Sequence, residues 1–237
     1  MKLNQFDLLW ATRRLPRTLV ALLKLNPNRA FVAGGYIRSR ITGEQVQDID
    51  VFTPSKEAAN ALALAYAEGD PKRLYITPNA ITIKGSRPTV QVIQRWTFEK
   101  PEECVDSFDF TIARAAFWWD GKAWDSYCHD SYYQDLAAKR LIYLSPKRLE
   151  DPGGSMLRVL KFYQRGYRIP LDSLAAVINR LMNGVNEEKI RNEGENTDAW
   201  RTRVITGLLH EVDPLVDPDH ISHLPASNTS AEEELPI

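Results

Sequence analysis

Two aspartates two residues apart, Asp48 and Asp50, sit in an apolar run that follows a glycine pair, Gly34-Gly35, and no other stretch of this 237-residue chain restricts its fold as sharply. Ile49, Val51 and Phe52, with Val46 upstream, read as a short strand, and alternate side chains of a strand share a face. Asp48 and Asp50 therefore point the same way. Carboxylates held side by side repel each other unless a cation neutralises them, and Mg²⁺ takes hard oxygen ligands while keeping positions open for phosphate oxygens. Two such ions about 4 Å apart activate an attacking hydroxyl and stabilise a leaving pyrophosphate. Phe31-Val32-Ala33 reads as a strand ending at the glycines, where the missing Cβ atoms let backbone N–H groups approach a triphosphate. Phosphate cradle and metal ligands arrive in one segment, which is the layout of a nucleotidyl-transfer site.

The stretch from Gly34 to Thr53 resembles, without a gap, the signature of class II CCA-adding enzymes and bacterial poly(A) polymerases, within the DNA polymerase beta nucleotidyltransferase superfamily. Gly34, Gly35, Arg38, Gly43, Asp48, Ile49 and Asp50 carry the resemblance. It implies that Asp48 and Asp50 are catalytic and hold Mg²⁺ or Mn²⁺, and that Gly34, Gly35 and Arg38 meet the triphosphate of an NTP. Ser39 departs from the pattern, which has an aspartate after the arginine. Ser107 to Arg114, SFDFTIAR, resembles the family's R-R-D-F-T-I-N-A segment; Asp109, Phe110, Thr111 and Ile112 are kept, and two phosphate-binding arginines are lost. Asp109 becomes the candidate third acidic group, as a metal ligand or as a ribose contact of the bound nucleotide. The plainer alternative is a surface or capping aspartate in an otherwise apolar strand.

Glu150 to Tyr167 resembles the family's E-D-P-L-R-x-L-R-x-x-R-F helix entry with one residue inserted, which puts Arg158 and Lys161 at two of its nucleotide-binding basic positions and Gly154 at the first. Arg158, Lys161 and Arg165 recur at helical spacing and share a face, with Leu157, Leu160 and Phe162 directed at the core. That basic face serves a nucleotide or simply meets solvent.

Composition sets the outer limits. The chain is 43% hydrophobic, enough for one substantial core or two small ones, and no run of about 18 apolar residues suggests a membrane span. Nothing at the N-terminus reads as a signal peptide, so a cytoplasmic location is expected, without membrane partners. Cys104 and Cys128 lack metal-site spacing and read as reduced thiols. Seven acidic residues and no Lys or Arg follow His210; without them 24 acidic residues face 30 basic ones, so residues 1–210 carry about +6. A basic body suits a nucleotide or an RNA backbone. The acidic stretch, with four prolines, His220 and His223, reads as a disordered tail.

The expected architecture is α+β: a polymerase beta-like nucleotidyltransferase head with a mixed or antiparallel sheet and helices over 1–145, a short helical neck over 146–210 and the tail over 211–237. A helix from Phe6 to Leu25 is interrupted by Pro16, Ser55 caps a helix reaching Ala67, and strands follow at Leu74–Thr77, Ala80–Lys84 and Thr89–Gln94. Gln91 or its neighbours stand where many members of the superfamily place a third carboxylate, and no acid sits on that strand. Another hairpin spans Phe117 to Trp124, and Trp118, Trp119, Tyr132 and Tyr133 favour core roles over base stacking. The expected activity is metal-dependent transfer of NMP from an NTP to a hydroxyl, most naturally an RNA (tRNA-like) 3′ end, with no DNA sequence readout. Two alternatives stay open: a protein or small-molecule hydroxyl as acceptor, and a catalytically lapsed member acting as a binding or scaffold protein.

Overall fold

The structure is a computed structural model that describes residues 1–145, 152–185 and 191–210. The expected acidic tail with His220 and His223, and Glu150 and Asp151 of the third motif, lie outside the described residues. The chain divides into two units, Met1–Arg148 and Leu149–Ile237.

The first unit is built on one seven-stranded sheet. In chain order the strands are β1 (Phe31–Ala33), β2 (Asp48–Phe52), β3 (Leu74–Ile76), β4 (Ala80–Ile83), β5 (Thr89–Ile93), β6 (Ala115–Trp119) and β7 (Trp124–Cys128), and their spatial order is β3-β4-β5-β2-β1-β6-β7. β2 is the central strand. Its pairing with β5 is parallel, and all other pairings are antiparallel, which makes the sheet mixed. The helices are α1 (Gln5–Thr12), α2 (Arg17–Leu25), α3 (Gly35–Thr42), α4 (Lys56–Tyr66), α5 (Pro101–Ser107) and α6 (Tyr132–Ala137).

Local chemistry explains most of these boundaries. Pro16 cannot donate the backbone hydrogen bond a helix interior requires, and it separates the expected Phe6–Leu25 helix into α1 and α2 outright. Ser55 caps α4, its hydroxyl accepting from the Ala58 N–H, and Ala59, Leu62, Ala63 and Tyr66 form the buried stripe of that helix. The α3 helix starts directly on the glycine pair, and α5 begins with Pro101 at its first position; neither was anticipated as a helix. Asp120 holds the β6–β7 hairpin by accepting from the Lys122 and Ala123 N–H groups.

Alternation along the strands decides what each face meets. Phe31, Ala33, Phe52, Ala116 and Trp118 pack with Cys104 and Val105 of α5, and Phe31 stacks on Phe52 with centroids 5.7 Å apart. Val32, Ile49 and Val51, pointing the opposite way, are fully buried. Trp118 and Tyr132 are core residues, as expected of them. Both cysteines are buried free thiols.

The second unit contains α7 (Gly154–Gln164), α8 (Leu171–Asn183) and α9 (Thr197–His210). Leu181, Trp200, Val204 and Leu208 form its core. Leu160 corrects one expectation: it is exposed, and Val159 takes the buried position beside Leu157 and Phe162. Gly153 packs where a side chain could not, because a Cβ there would lie 2.3 Å from the Leu208 carbonyl oxygen.

Candidate active site

The site grows from the end of β1. Gly34 has φ +81° and ψ −132°, a backbone region open to glycine and costly for other residues, and its N–H donates to the Ala115 carbonyl at 2.9 Å. That turn lets α3 begin immediately, and the helix N-terminus carries no side-chain cap. Uncapped N–H groups and the positive end of the helix dipole favour an anion there. Arg38 folds back along the same turn; its guanidinium nitrogens lie 3.6 and 3.9 Å from the position a Cβ on Gly35 would take. It is 6% exposed, with Nε 3.4 Å from Glu44 Oε2. Ser39 is buried on the same helix.

Asp48 and Asp50 lie on one face of the central strand, half-buried, while Ile49 and Val51 between and beyond them are fully covered. Phe52, the next residue on the carboxylate face, belongs to the cluster under α5, so the two acids face the α5 side of the sheet. Across the parallel pairing Asp48 sits opposite Thr89 and Asp50 opposite Gln91. Gln91 is nearly buried, so an amide occupies the neighbouring position where a third acid was looked for. Among the described residues no group of three or more His, Cys, Asp and Glu converges. Two carboxylates with phosphate oxygens nonetheless form the hard-oxygen donor set that a divalent cation of the Mg²⁺ type takes.

The SFDFTIAR segment reaches this face of the sheet from α5. The Phe108 ring lies 3.6 Å from where a Gly34 Cβ would stand and meets Phe52 edge-on at 6.1 Å. Asp109 follows directly, is 6% exposed and lies on no strand, which excludes the plainer alternative of a surface aspartate in an apolar strand. Its carbonyl accepts from the Leu144 N–H at 2.7 Å, and Thr111 to Ala113 form a single helical turn.

Two residues that fix this segment went unrecognised in the sequence. Arg114, 8% exposed, donates through Nε to the Phe108 carbonyl at 2.8 Å and approaches the Asp106 carboxylate at 3.9 Å. Burial lowers its pKa, opposed by the nearby Asp106 and Asp109 carboxylates. Asp135 is fully buried on α6, accepts from the Thr111 hydroxyl at 2.6 Å and pairs with Arg140 at 2.7 Å. A lone arginine inside the apolar run IARAAF was the available signal for the first. Asp135 in YYQDLAAKR gave none.

Arg158 and Lys161 are half-buried side chains of α7, in the second unit.

A family model described as "Gabija anti-defense 2 family protein" matches residues 4–139. A "Gabija anti-defense 2" protein of Bacillus phage SPbetaL7 is 26% identical over 195 residues, covering 73% of this chain; the chain spans 47% of that relative's length. Among solved structures, the Thermotoga maritima CCA-adding enzyme complexed with tRNA superposes with a TM-score of 0.56 at 16% identity, covering 88% of this chain and 54% of the enzyme. A CCA-adding enzyme in complex with CTP gives 0.57 at 19%, covering 91% and 52%. These likenesses fix the fold as that of CCA-adding nucleotidyltransferase heads. The sequence pointed to the CCA-adding enzymes as its family; they share its fold, while the family model that matches is another.

Proposed function

Because the chain belongs to the Gabija anti-defense 2 family, we propose that it counters a Gabija-type defence as a metal-dependent nucleotidyltransferase, moving NMP from an NTP to a hydroxyl with release of pyrophosphate. The observation that carries this reading is the shared face of Asp48 and Asp50 on the central strand, beside a glycine turn that opens an uncapped helix. The 3′ hydroxyl of a tRNA-like RNA is the acceptor in this account, supported by the CCA-adding enzymes that share the fold.

Each residue has a role in this proposal. Gly34 and Gly35 bring the first N–H groups of α3 to the triphosphate, and Arg38 neutralises its charge at the same turn. Asp48 and Asp50 would hold Mg²⁺ or Mn²⁺, which when bound withdraws charge from the phosphoryl oxygens and lowers the pKa of the attacking hydroxyl. Asp109, fixed by Arg114 and the Thr111 turn, orients the nucleotide. Cation-dependent NTP binding measured by calorimetry tests the arrangement. Asp48→Asn and Asp50→Asn should each cut transfer by about a thousandfold, the several kcal/mol expected of a bound metal. Full activity in both variants contradicts the proposal.

The departures at Ser39 and Gly154, and the arginines missing before Asp109, support a second reading in which the fold binds a nucleotide or partner without turnover. Unaltered anti-defence activity of Asp48→Asn in infected cells favours that reading; its loss in a folded protein favours catalysis. A protein or small-molecule hydroxyl as acceptor keeps the same chemistry and is separated by where the label goes.

A further inference from the structure

The exposed face of α1 is apolar and arginine-rimmed, and nothing in the site described above uses it. Phe6, Leu9, Trp10 and Arg13 recur at i, i+3, i+4 and i+7, the spacing of one helical stripe. That stripe normally faces a core, yet here Phe6 is 82% and Trp10 50% exposed. Beside it a pocket of about 330 Å³ is lined by Leu9, Thr12, Leu15, Val20 and Trp124, with Arg13 and Arg17 among its walls. Residues 1–30 hold six basic residues and one acid, Asp7. Among the described residues no acidic side chain lies within ion-pair distance of Arg13, Arg14 or Arg17, and all three are exposed.

The register places the Trp124 side of this surface away from the glycine turn. Ala33, which precedes Gly34, pairs with Ala116, whereas Phe31 pairs with Trp118 and Trp119 with Trp124. Trp124 therefore lies toward the end of the sheet opposite Gly34.

We propose that this face docks a partner protein through an amphipathic helix whose apolar stripe is flanked by carboxylates. Trp, Phe and Arg are the side chains enriched at protein interfaces, and charge complementarity calls for an acidic partner. Single-stranded nucleic acid fits less well, because the Arg14 guanidinium already stacks on Trp10, 3.1 Å from its centroid, and Trp124 packs edge-on against Phe117 and Trp119. A second copy of the chain set symmetrically on this face would oppose arginine to arginine.

The test uses the full chain and a fluorescein-labelled 16-residue helical peptide with a leucine stripe flanked by glutamates. Its controls are the same peptide with lysines for glutamates and a labelled oligouridine 12-mer. Anisotropy should rise with the glutamate peptide, fall with added salt, and show at least tenfold weaker binding in Arg13→Glu/Arg17→Glu and in Trp10→Ala. These residues are exposed, and circular dichroism of each variant checks that it folds. Equal binding of both peptides, undiminished binding by the variants, preference for oligouridine, a concentration-dependent homodimer lost in the same variants, or no binding at all overturns the proposal.

Discussion

Gly34 shows how one residue joins backbone geometry to chemistry. Its φ of +81° lets β1 turn straight into α3, and Gly34→Ala should cost about 1–3 kcal/mol of stability and weaken NTP binding as the turn relaxes. A denaturant titration reads the first effect and calorimetry the second. Gln91 makes a complementary case, since it is paired beside Asp50. Gln91→Glu would set a third carboxylate against that acid, so metal-free melting should drop, and saturating Mg²⁺ should recover part of the loss by binding only the folded state. A melting temperature indifferent to both substitution and Mg²⁺ would argue against a cation at this face. The strand alternation that puts Asp48 and Asp50 together was legible because period-two patterning survives in five residues. Gln91's place beside them follows from the β2–β5 register, a long-range pairing that local sequence does not carry.

At the scale of elements, sequence signals were strongest where a cap or breaker acts locally. Ser55, Pro16 and the Asp120-Gly121 turn each imposed the boundary expected of them. Ser55→Ala should cost about 1 kcal/mol, read as a lower urea midpoint with an unchanged slope. The apolar residues of SFDFTIAR left a strand open as the plainer alternative, and tertiary bonds decide otherwise. Thr111 is held by Asp135, and the Asp109 and Phe110 backbone pairs with Tyr143 and Leu144. Asp135→Asn keeps the shape and removes the charge that Arg140 and Thr111 share; a loss of about 1–3 kcal/mol is expected, together with a higher KM for NTP if this turn positions Asp109. Lost stability with an unchanged KM would leave Asp135 a purely structural clamp.

For the whole molecule, mixed-sheet topology was anticipated as a class, whereas the position of β2 at the centre of seven strands depends on pairings between residues far apart in sequence. The exposure of Leu160 was not legible, since helical spacing fixes a face without saying what covers it. Alkaline stability is a property of the folded chain as a unit. Burial pushes the Cys128 thiol up from 9.0 to about 11, against the opposing pull of the terminal ammonium. The unfolded chain then loses this proton first, so stability should decline between about pH 9 and 11. Cys128→Ala should flatten that part of a pH series of melting temperatures. No helix among the described residues is long and apolar enough to cross a membrane. The measurement that bears most directly on the central claim is transfer from each of four α-³²P-labelled NTPs to tRNA and total RNA, with Mg²⁺ or Mn²⁺, comparing the unaltered chain with Asp48→Asn. The account predicts cation-dependent labelling of RNA that vanishes in the variant. Unlabelled RNA, with no cation-dependent NTP binding, would contradict it.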